Sequence, residues 1–500
     1  MPKRPSAFPL ALPPRPPSAD AIPWLVDAVR EAVLTGGLRP GARLPSTRDL
    51  ARDLGLARST VVEVYERLQA EGYAEGRPGA GTFVRAALAD APPPIPTGRG
   101  NEAPPRALSA YARRVPLLDD PRPECGVPFL TDRADPALFP RDRWRRLANR
   151  RLRSDAGLFD AVPPLGHRPL REAVAEYLRS ARGARCDADT VAVTAGTRGA
   201  LDLLGRLLVD PGDRVGVEDP GYPGATAAFG ALGAELVPVP VDAQGCTLPE
   251  TGGLKALFVT PGHQFPTGVT MDLPRRLALL DWARDGGALI VEDDYDGDLW
   301  YDGQPLPALQ GLDRSGSVAY VGSVSKTLRL GFVVLPPGLV EPFARVASVV
   351  ARHGSTLDQA VLADLIAGGH YGRHLRRTRE TYAARLAVLR EEAARRLGDT
   401  LRIDPVRAGV QAVGWLPPDV DAEAVAAHAA ALGVSVVPVQ SFATRPLARD
   451  GLHLGFGSLS EGRIRWGVER LAEAVEAVQR GEPTPDHHAA ARTAGRARRS

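Results

Sequence analysis

Lysine is the scarce residue of this 500-residue chain: only Lys3, Lys255 and Lys326 occur, so nearly every cation is arginine. Coding bias of a GC-rich genome accounts for that replacement, yet any chemistry that needs a primary amine has only these candidates. Lys3 falls in a proline-rich tail and Lys255 opens an apolar run. That leaves Lys326, which follows small hydroxyl residues in Gly322-Ser323-Val324-Ser325-Lys326. A lysine near a strand end is ordinarily a solvated surface residue; its near-singularity here favours a reactive amine, the kind that adds to carbonyl carbon when desolvated. Other reactive groups recur at comparable places. Glu292-Asp293-Asp294-Tyr295 sets carboxylates beside a phenol, and Tyr222 offers a flat ring. Ala195-Gly196-Thr197-Arg198 is a small-residue turn opening a helix, where free N–H groups and the Thr197 hydroxyl suit a phosphate. Alone, that turn is a weak signal, because many such turns only connect elements.

The elements that must position these groups alternate from Cys186 onward: the β-branched runs DTVAVT, DRVGVED, AELVPVPV, KALFVTP, ALIVEDD, SVAYVGS and FVVLP are separated by helical patterns for much of their course. Such alternation predicts a mostly parallel sheet covered on both faces. Ligands of such sheets gather beyond the carboxyl ends of the strands, and the reactive groups lie at those ends. A lysine amine, a carboxylate, a phenol, a stacking ring and a phosphate turn on one sheet edge are what pyridoxal 5'-phosphate requires. The amine of Lys326 would form the Schiff base. A carboxylate keeps the pyridine nitrogen protonated, a phenol donates to the ring oxygen and an aromatic ring stacks; Asp293, Tyr295 and Tyr222 are the candidates for these roles.

Composition bounds the rest. At 44% hydrophobic and 24% charged, the chain reads as soluble and globular, and its length calls for more than one core. The net charge of +3 excludes attachment to polyanions by bulk charge, so any nucleic-acid contact depends on local placement. Cys125, Cys186 and Cys246 have neither disulfide-framework nor metal spacing, which predicts a reducing, cytoplasmic setting and no metal site. There is no apolar leader and no membrane-length apolar run, so no membrane partner is expected. Proline marks the boundaries: a disordered N-terminal tail over 1–19, a compact block over 20–85, a proline-rich linker over 86–125, a large domain over 126–480 and a basic tail over 481–500.

The 20–85 block reads as a helix-turn-helix with a wing. IPWLVDAVREAVL has helical spacing, Pro45-Ser46-Thr47 starts STRDLARDLG, Ala57-Arg58-Ser59-Thr60 opens STVVEVYERLQAEG, and YAEGRPGAGTFVR reads as a hairpin. The second of the paired helices would enter the major groove of a DNA duplex with Arg58, Ser59 and Thr60, while Arg43, Ser46, Thr47 and Arg48 contact phosphates and the wing glycines, Gly81 among them, allow close backbone approach. The block holds nine Arg and nine Asp/Glu, a net of zero. It therefore predicts modest non-specific affinity and reliance on paired half-sites.

The run LRPGARLPSTRDLARDLGLARSTVVEVYERLQAEGYAEGRPGAGTFV resembles the winged helix-turn-helix of GntR-type transcription regulators. DPGYPG (219–224), TPGHQFPTGVTM (260–271), EDDYDGDLWYDGQPLPAL (292–309) and GSVSKTLRLGFVVLP (322–336) resemble fold-type I aminotransferases, and the two halves together resemble the MocR/PdxR-type subfamily of GntR regulators. The resemblance implies an all-α-rich winged helix-turn-helix domain plus an α/β fold-type I aminotransferase-like domain with a small C-terminal α+β subdomain. It implies that Lys326 carries the cofactor and Asp293 faces its pyridine nitrogen. It also places Tyr295 and the His263-Gln264 segment near the ring oxygen, stacks Tyr222, and sets Thr197, Ser323, Ser325 and, less securely, Arg329 near the phosphate. A head-to-tail homodimer and a double-stranded DNA operator are implied as partners, with pyridoxal phosphate or an amino compound as effector. Two departures stand out. Arg329 is only the third residue after Lys326, because the segment is shorter than in the family, and His453 stands where aminotransferases often carry the arginine that grips a substrate carboxylate. A sensor is therefore the leading reading, with transamination weak or absent. An active aminotransferase with a DNA-binding appendage, and a domain that has lost its cofactor, remain alternatives.

Overall fold

The computed structural model describes residues 12–16, 19–86, 107–116, 127–131, 133–154, 156–159, 163–250, 252–301, 303, 306–325, 330–350 and 354–485. The chain forms two compact units, Met1–Ala107 and Leu108–Ser500. Among the described residues no helix is long and apolar enough to cross a membrane.

In the first unit, helix α1 (Ala21–Leu34) starts where the Asp20 carboxylate accepts from Ile22 N, and α2 (Thr47–Leu54) starts at the Ser46 cap. Helix α2 stops at Gly55, whose left-handed φ of 64° a Cβ would strain. Helix α3 (Arg58–Ala70) follows, and strands β1 (Ala74–Arg77) and β2 (Gly81–Val84) pair antiparallel as the wing. The apolar stripes close on one another through Leu25, Val29, Leu50, Val61, Val64, Leu68 and Val84. Three helices and a hairpin of this size bury enough only because every helix contributes a full apolar face.

The second unit begins with α4 (Ala110–Arg114), α5 (Arg141–Ser154) and α6 (Arg168–Arg182). The alternating region follows as β3 (Val191–Thr194), α7 (Gly196–Leu208), β4 (Arg214–Asp219), α8 (Pro223–Leu232), β5 (Glu235–Asp242), β6 (Gly245–Cys246), β7 (Leu254–Val259), α9 (Leu273–Gly286), β8 (Leu289–Asp294), α10 (Leu309–Leu312), β9 (Val318–Ser325) and β10 (Leu330–Val334). Helices α11 (Val340–Val350), α12 (Thr356–Ala367) and α13 (His370–Leu397) lead to a C-terminal lobe of β11 (Arg402–Ile403), β12 (Gln411–Trp415), α14 (Ala422–Ala431), β13 (Val437–Pro438), β14 (Gly451–Gly455) and α15 (Glu461–Gln479).

The large sheet has the order β3-β10-β9-β8-β7-β4-β5-β6, with β5, β4, β7, β8 and β9 parallel and the remaining pairings antiparallel. Strand alternation splits its side chains between two cores. Leu289, Val291, Ala319 and Val321 pack on Leu201 and Leu204 of α7, Phe229 of α8 and Phe343 of α11. On the opposite face Ile290 and Val318 meet α9, while Tyr320 and Phe332 meet α6 and α12. The C-terminal lobe builds its own core on a four-stranded antiparallel sheet.

Part of the stretch expected as linker is structured: α4 lies within 86–125, and its Arg114 Nε donates to Ala231 O at 3.1 Å, so this helix packs on α8. The proline count concealed it. The Ser109 hydroxyl caps the helix by accepting from Ala112 N.

Candidate functional site

In the first unit, four of the nine acidic side chains of residues 20–85 are paired with arginines. Arg30 bonds Asp27 and Glu71, Arg52 bonds Asp49, Arg67 bonds Glu71 and Arg77 bonds Glu75. Among the described residues, no ion pair involves Arg39, Arg43, Arg48 or Arg58, and all four are exposed. The net charge of zero thus hides a set of unneutralised cations in the turn before α2 and at the starts of α2 and α3, the places from which a helix-turn-helix touches phosphate and base edges.

The neighbouring groups hold these arginines in place. Arg58 Nε donates to Thr47 Oγ1 at 3.4 Å, joining the two helix starts. Ser59 is exposed and Thr60 half-buried on the first turn of α3. Ser46, expected to meet phosphate, instead bonds Asp49 through both its roles: its hydroxyl accepts from Asp49 N and donates to Asp49 Oδ2 at 2.6 Å. A Cβ on Gly81 (φ 110°) would stand 3.2 Å from Arg43 Nε, so the missing side chain lets the Arg43 guanidinium lie along the wing.

In the second unit, the carboxylates of β8 separate by strand parity. Glu292 accepts from Leu309 N at 2.7 Å and Gln310 N at 2.9 Å, holding the start of α10. Asp294 accepts from Arg182 Nε at 2.7 Å and Tyr320 OH at 2.6 Å in a buried network. Both serve the scaffold. Asp293, 3% exposed, shares the face of Leu289 and Val291, the face covered by α7 and α8. Ser323 of β9 has the same parity, and its hydroxyl is 3.5 Å from Leu330 O.

At the same edge, β3 ends at Thr194, and α7 begins at Gly196 with Thr197 in its first turn, where N–H groups lack intrahelical acceptors. Gly331 makes room for this turn: a Cβ there would sit 2.8 Å from Gly196 Cα and 3.0 Å from Thr194 Oγ1. The bare backbone brings the start of β10, and with it the end of β9, against the helix start.

Tyr222 precedes α8, and its ring folds over the first turn because Gly224 has no Cβ to strike it. Its hydroxyl accepts from Arg198 Nε at 3.3 Å. Tyr295 OH lies 3.2 Å from His263 Nδ1, which is also 3.2 Å from Asp296 Oδ2. Gln264, expected beside the ring oxygen, ties its loop to the end of β4: its Nε2 donates to Glu218 Oε2 and Pro220 O, and its Oε1 accepts from Thr267 N and Oγ1. Lys326 and Arg329 lie outside the described residues, and Ser325 is placed by its pairing with Leu330.

Sequence reasoning missed the supports. Glu218 accepts from Thr260 N, Thr260 Oγ1 and Gln264 Nε2, and burial pushes its carboxyl up to about 7. Asp219 accepts from Thr444 N and Oγ1, both at 2.7 Å, and from Arg445 Nε at 3.1 Å. Gly221 N donates to Phe442 O, so the loop carrying Tyr222 is fastened to the C-terminal lobe. Nothing in the sequence marks Thr444 as the partner of a residue so far away.

The donor set suits pyridoxal phosphate. One edge brings an anion-accepting helix start, a buried carboxylate on the α7 face, a phenol bonded to an imidazole and an aromatic ring beside the strand ends. Asp293 would face the pyridine nitrogen, Tyr222 the ring face, Tyr295 the ring oxygen, and Thr197 with Ser323 the phosphate. When bound, the cofactor supplies an aldehyde that takes up amines and a ring that withdraws electrons.

A family model described as "Bacterial regulatory proteins, gntR family" matches residues 25–84, and one described as "Aminotransferase class I and II" matches residues 135–471. Similar along nearly the whole length is the "Probable rhizopine catabolism regulatory protein MocR" of Rhizobium meliloti, 38% identical over 94% of this chain and 97% of that protein. The chain belongs to the GntR family of bacterial regulators, in its MocR-type branch. This regulator is also similar to the "HTH-type pyridoxine biosynthesis transcriptional regulator PdxR" of Corynebacterium glutamicum, 33% identical over 94% of this chain and 98% of that one. Its second unit is similar to LysN, the α-aminoadipate aminotransferase of Thermus thermophilus, solved with N-(5'-phosphopyridoxyl)-L-leucine: 27% identity, TM-score 0.67, 74% of this chain and 98% of that one. This regulator thus joins a DNA-binding winged helix to a pyridoxal phosphate-binding domain of the aminotransferase fold, and acts on transcription.

Proposed function

We propose that this regulator binds an operator through its first unit and reads, through its second, either pyridoxal phosphate or an amino compound that reacts with it. The observation that carries the reading is the parity of β8. Two of three consecutive carboxylates are bound into the scaffold, and the third is buried on the face of the phosphate-type helix start. Lys326 is the residue for the amine link to the cofactor. Arg43, Thr47, Arg48, Arg58, Ser59 and Thr60 are the DNA-facing set, and Ser46 serves as the cap that positions them. The names of the relatives, one tied to rhizopine catabolism and one to pyridoxine biosynthesis, support control of genes for small amines or for the cofactor itself.

Coupling requires an effector that favours one arrangement of the protein over another. A head-to-tail dimer in the cytoplasm, with two winged helices on paired half-sites, meets that need and the low net charge of the block. The test is a near-UV/visible spectrum of purified protein alongside Lys326→Ala. A cofactor band in the wild type and none in the variant is the expected result. A wild type with no band after incubation with pyridoxal phosphate sinks the reading.

A further inference from the structure

His453 lies mid-strand in β14, paired with Val413 on one side and Val437 on the other, and is fully buried. Its ring meets Phe265 and Phe442 edge-on, with centroids 5.3 Å away in each case. Phe265 in turn touches Tyr222 and Tyr295, the two rings assigned to the cofactor, so a single ring separates His453 from each of them. Among the described residues, neither of its ring nitrogens has a hydrogen-bond partner. Burial and the nearby His263 push its pKa down to about 3, while Asp296 acts in the opposite direction and does not prevail.

A neutral imidazole has one N–H donor and one bare nitrogen acceptor. A hydroxyl group can answer either role, donating to the bare nitrogen or accepting from the N–H. A carboxylate answers only the donor and would lie near the buried Asp296 carboxylate, an arrangement that low dielectric penalises. An edge contact between rings is cheaper to displace than two buried nitrogens are to leave unmet, so Phe442 or Phe265 can yield to an occupant that satisfies them.

We propose that the small-molecule subsite beside the cofactor accepts a hydroxylated amine that carries no carboxylate, with the His453 imidazole bonding one of its hydroxyl groups. The inference rests on the cofactor reading above and narrows its effector to a chemical class: amino alcohols and amino sugars rather than amino acids.

The test uses full-length protein loaded with pyridoxal phosphate and matched pairs differing in hydroxyl against carboxylate: serinol against serine, and glucosaminitol against glucosaminate. Calorimetry is expected to show the hydroxyl member of at least one pair binding about tenfold or more tighter than its acid, the equivalent of one well-made hydrogen bond or one avoided buried charge. His453→Phe keeps the ring volume and removes both nitrogens; it is expected to abolish that preference with the near-UV dichroism retained. His453→Gln keeps a donor and an acceptor and is expected to restore part of it. Equal or tighter binding of the acids, an unchanged preference in His453→Phe, or no heat from any of the compounds overturns the inference while the cofactor band leaves the underlying reading intact. Absence of the band in the wild type overturns both.

Discussion

The two units of this regulator treat charge in opposite ways. In the winged helix, the ion pairs lie on the surface, and arginines outside them face solvent in the turn before α2 and at the starts of α2 and α3. In the aminotransferase-type unit the decisive charges are inside: Arg182 with Asp294, Glu218 with Thr260, Glu292 on a helix start. The contrast follows from the ligands. A polyanion is met at the surface, where counterion release rewards every unneutralised cation. A small cofactor is met in a desolvated edge, where one buried group outweighs several exposed ones.

The comparison is broken most severely by Asp293→Ala. Losing the carboxylate proposed to face the pyridine nitrogen is expected to weaken cofactor binding by about 10- to 100-fold, the worth of one charge-assisted hydrogen bond. Operator binding measured without cofactor should be unchanged, and a parallel loss there would contradict the division of labour. The complementary change is Arg58→Ala, expected to weaken specific operator binding by about tenfold in a gel-shift titration and to lower its salt dependence. Arg52→Ala provides the sharper half of that experiment: its guanidinium is paired with Asp49, so its removal should change affinity by less than about twofold. Equal effects of the two arginines would show that pairing does not select the DNA-facing set.

The buried side is tested by the pH dependence of stability. Glu218 titrates at about 7 in the folded chain against an ordinary 4.5, so folding favours its protonated form. That contribution is full below about pH 4.5 and fades as the pH rises through 7. Glu218→Gln keeps the oxygen that accepts from Thr260 and cannot ionise. Thermal melts should therefore show it matching the wild type at pH 5 and exceeding it at pH 8 by on the order of 2 kcal/mol, or about 2–4 °C.

Much of this was legible in the amino-acid order. Ser46 and Gly55 bounded α2 as capping chemistry requires, and the alternation of β-branched runs located every long strand of the large sheet. The candidate site was legible where a residue type stands out, as Tyr295 does after a carboxylate run, beside His263 in the structure. It was not legible where roles depend on direction. Nothing local distinguishes Asp293 from Asp294; only pairing with β9 and the cores on either face show that one serves the edge and the other Arg182. Ser46 and Gln264 were read by type as ligand groups, and each also has protein partners: Ser46 bonds Asp49 in the first turn of α2, and Gln264 bonds Thr267 beside it and Pro220 beyond β4. Short polar side chains have local partners within reach, and sequence cannot say which of them wins.

Asp219 has a mechanical meaning. Its carboxylate holds Thr444 and Arg445 while the next turn of chain, through Gly221, holds Phe442. Tyr222 follows at once. The C-terminal lobe and the ring proposed to stack on the cofactor are therefore geared together, so a few degrees of lobe rotation become a displacement of Tyr222, and a ligand that shifts Tyr222 must turn the lobe.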